Sequence, residues 1–248
     1  MFDARRWIIA LVGVCVVLAH PPESVAQVTV TLAASGDNTM YSESGVISNG
    51  AGDYLFSGRT NASGTPVLRR ALIRFDVAGS IPPGSMISDV RLELYMSRTK
   101  NSVDTTSLHM ATADWGEGTS DAPMEEGQGA PAAANDATWL YRLFNPAMPP
   151  SSPAWSTPGG DFLAAPSVTI DVGAVGAYTF GSTPSMVADA QLWLDAPAAN
   201  FGWVIVGEET DRASATRFNS RTSPDPTRRP RLVVTFTPPE PTGACCFT

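Results

Sequence analysis

The stretch Val90-Arg91-Leu92-Glu93-Leu94-Tyr95-Met96 decides the fold. Every second residue in it is apolar, and Arg91, Glu93 and Tyr95 stand between the apolar ones. A period of two is typical of a β-strand that buries one face and exposes the other. The stretch therefore predicts a half-buried strand with Arg91, Glu93 and Tyr95 on the outer face.

The same alternation recurs on both sides of this strand. Between Arg70 and Val77 the residues Ala71, Ile73 and Phe75 face one way, and Arg70 and Arg74 face the other. Further strands are predicted at Val28 to Leu32, Tyr54 to Gly58, Ser107 to Ala113, Val168 to Val172, Trp203 to Gly207, Thr216 to Arg221 and Arg231 to Thr237. Many short strands divided by turn residues indicate an all-β sandwich or jelly roll.

Two segments depart from this pattern. Ser185 to Leu194 has apolar residues at helical spacing, preceded by Ser182 or Thr183 as the capping residue and by Pro184 in the first turn. The stretch from Gly116 to Pro166 is rich in Pro, Gly and Ala, and predicts a long excursion with one short strand around Thr138 to Leu143. The predicted fold is thus a jelly-roll-like antiparallel β-sandwich with one short helix and a long loop excursion.

The first 26 residues have the pattern of a secretory signal. Arg5 and Arg6 precede an apolar run that ends before Pro21, and the small residues Ser24 and Ala26 suit a cleavage site after Ala26. We therefore expect a signal peptide over 1–26, a secreted domain over 27–237 and a tail over 238–248. The apolar run is too short to span a bilayer, and we expect no membrane span after it.

The charge of the chain argues against nucleic acid as a partner. The formal net charge is −8, and only 16% of residues are charged. Neutralising phosphates requires clustered basic residues. After the predicted cleavage only Cys245 and Cys246 are left, next to each other in the tail, so no disulfide cross-links the predicted domain.

Short motifs spread over the predicted domain suggest a family. They are Asp37-Asn38-Thr39-Met40-Tyr41, Arg70 to Val77, Ile81-Pro82-Pro83-Gly84, Leu92-Glu93-Leu94-Tyr95, Trp115-Gly116-Glu117, Ala137-Thr138-Trp139, Trp193-Leu194, Asn200-Phe201-Gly202-Trp203, Phe218-Asn219-Ser220-Arg221 and Arg229-Pro230-Arg231-Leu232-Val233-Val234. Their order and spacing resemble the DNRLRE domain family, secreted β-sandwich modules related to carbohydrate-binding modules. The long Trp-containing insertion at Trp155 to Phe162 departs from that pattern.

The resemblance implies a bacterial, extracellular module with a polysaccharide partner, including acidic polysaccharides such as alginate. It does not identify binding residues. The tail, Pro241 to Thr248, resembles the opening of short Gly-Ala-Cys-Cys modules of large secreted bacterial proteins. We expect it to be the start of a further Cys-containing module.

Arginines on three predicted strands form the candidate carbohydrate-binding site. If the three strands share a sheet, one patch on its non-core face contains Arg70, Arg74, Arg91, Tyr95, Arg217 and Arg221. Guanidinium groups bind carboxylates through two parallel hydrogen bonds, and a tyrosine ring can stack on a sugar. The alternative is that Asp76 and Glu93 pair with these arginines and the face is merely solvated.

Three other groups of residues are weaker candidates. Trp115, Trp139 and Trp155 either stack on neutral sugars or pin the excursion to the sandwich. His109 is expected on the solvent side of its strand, without a catalytic partner. No cofactor is expected, but the acidic loop residues are candidates for a structural calcium ion, which takes oxygen ligands. They are Asp37, Glu117, Asp136 and Asp161.

Three functions follow from these observations. The first is a secreted, non-catalytic module that binds a polysaccharide, with an anionic polysaccharide as the ligand that the arginine patch would suit. The second is a structural or adhesive surface domain without glycan specificity. The third is a polysaccharide lyase or hydrolase, for which Tyr95 with Arg74 and Arg91 is the conceivable catalytic set.

Overall fold

The structure is a computed structural model that describes residues 26–63, 65, 67–100 and 103–240. The predicted signal peptide before Ala26 and the two cysteines of the tail lie outside these residues. The strands are β1 (Val28–Tyr41), β2 (Ile47–Ser48), β3 (Tyr54–Arg59), β4 (Leu68–Phe75), β5 (Met86–Arg98), β6 (Asp104–Met110), β7 (Ala130–Pro131), β8 (Val168–Val172), β9 (Gly176–Gly181), β10 (Trp203–Val206), β11 (Thr216–Asn219) and β12 (Arg231–Thr237). The helices are α1 (Val77–Ser80) and α2 (Pro184–Asp195).

The chain is all-β, and its strands pair antiparallel. Sheet A contains the first half of β1 together with β12, β5, β9, β11 and most of β3. Sheet B contains the second half of β1 together with β4, β10, β6 and β8. The strands β1 and β3 each pass from one sheet to the other, so that β1, β12, β5, β11, β3 and β4 form a closed ring.

The main core lies between the two sheets. Leu92, Leu94 and Val234 enter it from sheet A, and Ile73 and Trp203 enter it from sheet B. The alternation in the stretch Val90 to Met96 is confirmed, since its four apolar residues are buried and Arg91 is exposed. Each predicted strand is present except the one expected at Thr138 to Leu143: β8 and β12 have the predicted bounds, and the others have shifted ends. Strand β9 was not predicted, because its residues Gly176 to Gly181 show little apolar alternation.

The predicted helix is α2, and it begins where the sequence indicates. The Thr183 side chain accepts a hydrogen bond from the Met186 backbone nitrogen, and Pro184 is the first helical residue. The helix buries Met186, Ala190 and Trp193, and the Trp193 ring packs edge-on against Trp203 with centroids 4.5 Å apart. Helix α1 was not predicted. It is a single turn that the Asp76 side chain caps by accepting from the Gly79 backbone nitrogen.

The excursion folds onto the outer face of sheet B. A second apolar cluster forms there between Leu72 and Val204 of the sheet and Trp115, Ala137 and Trp155 at or within the excursion. The prediction of a strand around Thr138 to Leu143 is wrong. The Thr138 nitrogen donates to the Tyr141 carbonyl at 2.7 Å and the chain turns, which leaves only an isolated bridge between Tyr141 and Ala154.

In the described ranges, neither helix is long and apolar enough to cross a membrane.

Candidate functional site

The six predicted site residues do not form one patch. Arg70 and Arg74 lie on β4, which belongs to sheet B, whereas Arg91 and Tyr95 lie on β5 and Arg217 on β11, both in sheet A. The condition that the three strands share a sheet is therefore not met. The six residues separate into three groups with different surroundings.

The first group, Arg70 and Arg74, is covered by the excursion. Arg70 makes two hydrogen bonds to the Glu209 carboxylate, at 2.7 and 2.9 Å, and lies over the Trp139 ring at 5.0 Å. Arg74 lies over the Trp115 ring at 4.7 Å. Because these guanidinium groups are engaged within the protein, the prediction that Arg70 and Arg74 share an open groove with Arg91 is wrong.

The second group is Arg221 in a part-buried polar network. Its guanidinium makes two hydrogen bonds to the Glu117 carboxylate, and its backbone nitrogen donates to Asp37 Oδ2 at 2.7 Å. Glu117 also accepts from the Asp37 backbone nitrogen at 2.9 Å, which ties the start of the excursion to β1. Burial, with the nearby Glu117 charge, raises the pKa of Asp37 to about 7. This network fastens the excursion and leaves Arg221 outside the candidate site.

The third group, Arg91, Tyr95 and Arg217, lies on the outer face of sheet A, which the excursion reaches where Glu125 pairs with Arg217. Arg91 is exposed and pairs with Asp89 at 3.0 Å, and Tyr95 follows on the same face of β5. A shallow pocket of about 150 Å³ lies beside them. We call it the β5 pocket; its side chains are Glu93, Tyr95, Thr179, Arg228, Arg229 and Arg231.

The arginines of the β5 pocket were not among the predicted site residues. Arg228 and Arg229 close the short turn before β12, and Arg231 is the first residue of β12. The signal was present in the sequence, since three of the four residues from 228 to 231 are arginine. It was missed because the candidate site was drawn from three other predicted strands, and the strand that begins at Arg231 was not among them.

The β5 pocket holds its cations in defined places. The Arg228 guanidinium carbon lies 4.5 Å from the Tyr95 ring centroid and the group pairs with Asp225 at 3.0 Å, while Arg231 pairs with Glu93 at 3.0 Å. Arg229 is exposed, and it forms no ion pair with any carboxylate in the described part of the chain. Its Nε donates to the Ser223 carbonyl at 2.7 Å, so one edge of the guanidinium is fixed and the rest points to solvent.

The turn that carries Arg228 is held by Asp225. Its carboxylate accepts hydrogen bonds from the Thr227 backbone nitrogen at 3.0 Å and from the Thr227 hydroxyl at 2.6 Å. These bonds lower the pKa of Asp225 below its usual range. The carboxylate therefore stays ionised and keeps the turn in place at mildly acidic pH.

A second cavity lies further along β5, on the same side of the molecule. We call it the Arg98 cleft; its main side chains are Phe56, Arg69, Arg98, Lys100, Glu125 and Arg217. Its volume is about 200 Å³. It brings the predicted site residue Arg217 together with Arg98 and Lys100, neither of which was predicted. A β-bulge at this point of the β5 and β11 pairing places Arg98 opposite Arg217.

The tryptophans at the start of the excursion and within it hold it against the sandwich. Trp115 is 1% exposed and its Nε1 donates to the Phe201 carbonyl at 2.7 Å. Trp155 is 5% exposed and its Nε1 donates to the Thr138 carbonyl at 2.8 Å. Trp139 is partly exposed beneath Arg70. His109 lies on the same outer face of sheet B, where its ring bonds to Ser107 and to the Leu163 carbonyl, each at 2.9 Å.

The acidic loop residues proposed for calcium accept hydrogen bonds from backbone nitrogens, and the four carboxylates do not meet at one point. Asp136 accepts from the Ala133 backbone nitrogen at 2.6 Å, and Asp161 accepts from those of Ser156 and Thr157 at 2.9 and 3.0 Å. Asp37 and Glu117 belong to the network around Arg221. Over the described ranges, no group of three or more His, Cys, Asp or Glu side chains is arranged to hold a metal ion.

The conceivable catalytic set is not assembled either. Arg74 is on sheet B beneath Trp115, whereas Arg91 and Tyr95 are on the outer face of sheet A. The two positions are on different sides of the sandwich, so the three side chains cannot act on one sugar.

The sequence matches no protein-family model, and a search of the curated proteins finds no match to it. The DNRLRE resemblance accordingly rests on the motifs quoted above.

Proposed function

We propose that this chain is a secreted, non-catalytic module of the DNRLRE type that binds an anionic polysaccharide through the outer face of sheet A. The observation that carries the proposal is the β5 pocket, an open and shallow pocket in which three arginines and a tyrosine surround one glutamate. The pocket is shallow and lies on a rigid sheet. Such a surface can receive a chain along its length, as an extended polymer requires.

The charges of the pocket favour an acidic ligand. Although the chain as a whole is acidic, with a net charge of −8, Arg229 keeps most of its donors free of internal partners. A guanidinium fork binds carboxylates and sulfates through paired hydrogen bonds. Tyr95 contributes by holding Arg228 in position through the ring contact at 4.5 Å.

Calorimetry with two polymers tests the proposal. Polygalacturonate supplies one carboxylate per sugar, and dextran supplies none. We expect heat of binding with polygalacturonate that weakens as salt is raised, and none with dextran, because exposed charge pairs are screened by ions. Equal binding of both polymers would favour stacking over charge recognition. Binding of neither would favour the alternative of a structural or adhesive domain.

A variant ties the binding to the pocket. Arg229→Ala removes the one guanidinium of the pocket that pairs with no carboxylate of the described residues, so the fold is expected to tolerate it. We expect polygalacturonate to bind about fivefold to tenfold more weakly, the loss of one charge-assisted pair of hydrogen bonds. Unchanged binding by this variant would show that the polymer attaches elsewhere.

A further inference from the structure

Two arginines in the Arg98 cleft close on one exposed carboxylate. Glu125 Oε2 accepts from Arg98 at 2.7 Å and from Arg217 at 2.5 Å. The Glu125 side chain is 67% exposed, and that of Arg98 is 59% exposed. The Glu125–Arg98 pair is exposed on both sides, and such a pair contributes little to stability, about 0 to 1 kcal/mol. The carboxylate therefore occupies a cationic site from which it can be displaced at small cost.

Arg217 is fixed independently of Glu125. Its guanidinium carbon lies 3.7 Å from the Tyr54 ring centroid, its Nε donates to Ser97 Oγ at 3.0 Å, and its side chain is only 12% exposed. These contacts stay in place when Glu125 swings away. The donor that would face a ligand is thus already oriented, which reduces the entropy lost on binding.

The loop that carries Glu125 is anchored at its neighbours. The Glu126 carboxylate is buried and accepts from the backbone nitrogens of Asp53 and Tyr54, each at 2.9 Å. Arg69, whose side chain is 3% exposed, donates to the Gly127 carbonyl at 2.9 Å. The backbone is thereby held in position, and only the Glu125 side chain has to move to open the cleft.

The loop backbone adopts an unusual conformation to present this side chain. Met124 and Glu126 have φ values of 59° and 60°. Non-glycine residues rarely occupy this left-handed region, and each instance costs about 1 kcal/mol or more. The buried contacts of Glu126 hold the segment in this strained shape, with Glu125 directed at the two arginines.

We propose that the Arg98 cleft is a second binding subsite for a ligand carboxylate, and that Glu125 occupies it as an internal substitute until the ligand arrives. The inference rests on the proposed function, because it takes the ligand to be the same anionic polysaccharide. The cleft and the β5 pocket lie along one strand: the five steps from Glu93 to Arg98 span at most about 17 Å at the rise of a β-strand. A polymer with regularly spaced carboxylates can engage both places at once and gain affinity from the linkage.

Removing the Glu125 carboxylate should strengthen binding of the anionic polymer. For Glu125→Gln we expect polygalacturonate to bind about threefold to tenfold more tightly, since the ligand no longer competes for the two arginines. Asp121→Asn is the matched control, because it makes the same change of net charge in the same excursion, at an exposed position outside the cleft. It should change the affinity by less than about twofold, the effect of a charge that is screened and remote. Equal gains in the two variants would overturn the proposal.

A second measurement separates this inference from the proposed function. Monomeric galacturonate is titrated into ¹⁵N-labelled Glu125→Gln protein, and the Nε–H signals of Arg98 and Arg217 are followed. Both signals should shift, and Arg98→Ala in the same background should abolish the shift at Arg217 and the gain in polymer affinity. Arginine signals that stay still while Arg229→Ala weakens polymer binding would overturn the cleft and leave the proposed function standing. If both arginine signals shift but Arg229→Ala leaves polymer binding unchanged, the cleft stands and binding at the β5 pocket is overturned. If no variant binds polymer or monomer, both proposals are overturned.

Discussion

The two outer faces of the sandwich both carry arginines, but they use them in opposite ways. On sheet B, both Arg70 and Arg74 lie beneath the excursion. Arg70 donates to Glu209 and lies over the Trp139 ring, and Arg74 lies over the Trp115 ring. On sheet A, Arg91 and Arg231 are exposed. The difference shows that an arginine on the non-core side of a strand becomes available to a ligand only if no other part of the chain covers that side.

The excursion also explains why the outer face of sheet B contains buried apolar residues. Leu72 and Val204 point away from the main core, yet they are buried because Trp115 and Trp155 pack on them. The corresponding face of sheet A exposes Arg91, Glu93, Tyr95 and Thr235 at least in part. The covered face therefore contributes stability, whereas the open face is the one on which binding can occur.

The largest expected effect concerns the cover itself. Trp115→Ala removes a fully buried ring and its hydrogen bond to the Phe201 carbonyl. We expect the free energy of unfolding to fall by about 3 to 5 kcal/mol, as is usual for a buried aromatic side chain. Urea denaturation followed by tryptophan fluorescence measures it. A loss below 1 kcal/mol would mean that the excursion does not depend on this contact.

A matched pair of arginines comes next. Arg70→Ala leaves the Glu209 carboxylate without its partner under the excursion, where the Arg70 side chain is 15% exposed, and we expect a loss of about 2 kcal/mol. Arg91→Ala removes a side chain that is 55% exposed, and we expect a loss of at most about 0.5 kcal/mol. Urea midpoints of the two variants provide the comparison. Equal losses would remove the distinction between the faces.

A smaller effect depends on pH. Because the pKa of Asp37 is raised to about 7 in the folded chain, the folded state binds a proton more tightly than the unfolded one, and this carboxyl destabilises the fold increasingly as pH rises from about 4 to 7. Asp37→Asn cannot ionise but keeps an oxygen for the Arg221 backbone nitrogen. Relative to wild type, it should gain about 1 to 2 kcal/mol between pH 5 and about pH 6.5. Denaturation of both proteins at the two pH values tests this, and a constant difference would contradict it.

The sequence predicted the elements better than their arrangement. Strand β5 and helix α2 are specified locally, by alternation and by the Thr183 cap followed by Pro184, so both were found. The assignment of β4 to the other sheet depends on which strands pair over long distances, and alternation within one strand does not contain that information. This is why Arg70 and Arg74 were grouped with Arg91.

The Arg98 cleft could not be predicted from the sequence, for a related reason. Strict alternation from Val90 places Arg98 on the core side of β5, and only the bulge opposite Arg217 and Phe218 brings it beside Arg217. The β5 pocket, by contrast, could have been found, since the arginines at 228, 229 and 231 stand together next to a predicted strand. The covered face had one clue as well: Trp203 to Val206 is apolar on both faces.

We propose that the β5 pocket on the outer face of sheet A binds the anionic polymer, and that the outer face of sheet B does not. The most direct test is the affinity for polygalacturonate of two single variants that each remove one positive charge: Arg229→Ala in the β5 pocket and Arg142→Ala in the excursion, where Arg142 donates to the Asp114 carbonyl at 3.1 Å. We expect Arg229→Ala to weaken binding about fivefold or more and Arg142→Ala to change it less than about twofold. Equal weakening in both variants, or a larger loss in Arg142→Ala, would contradict it.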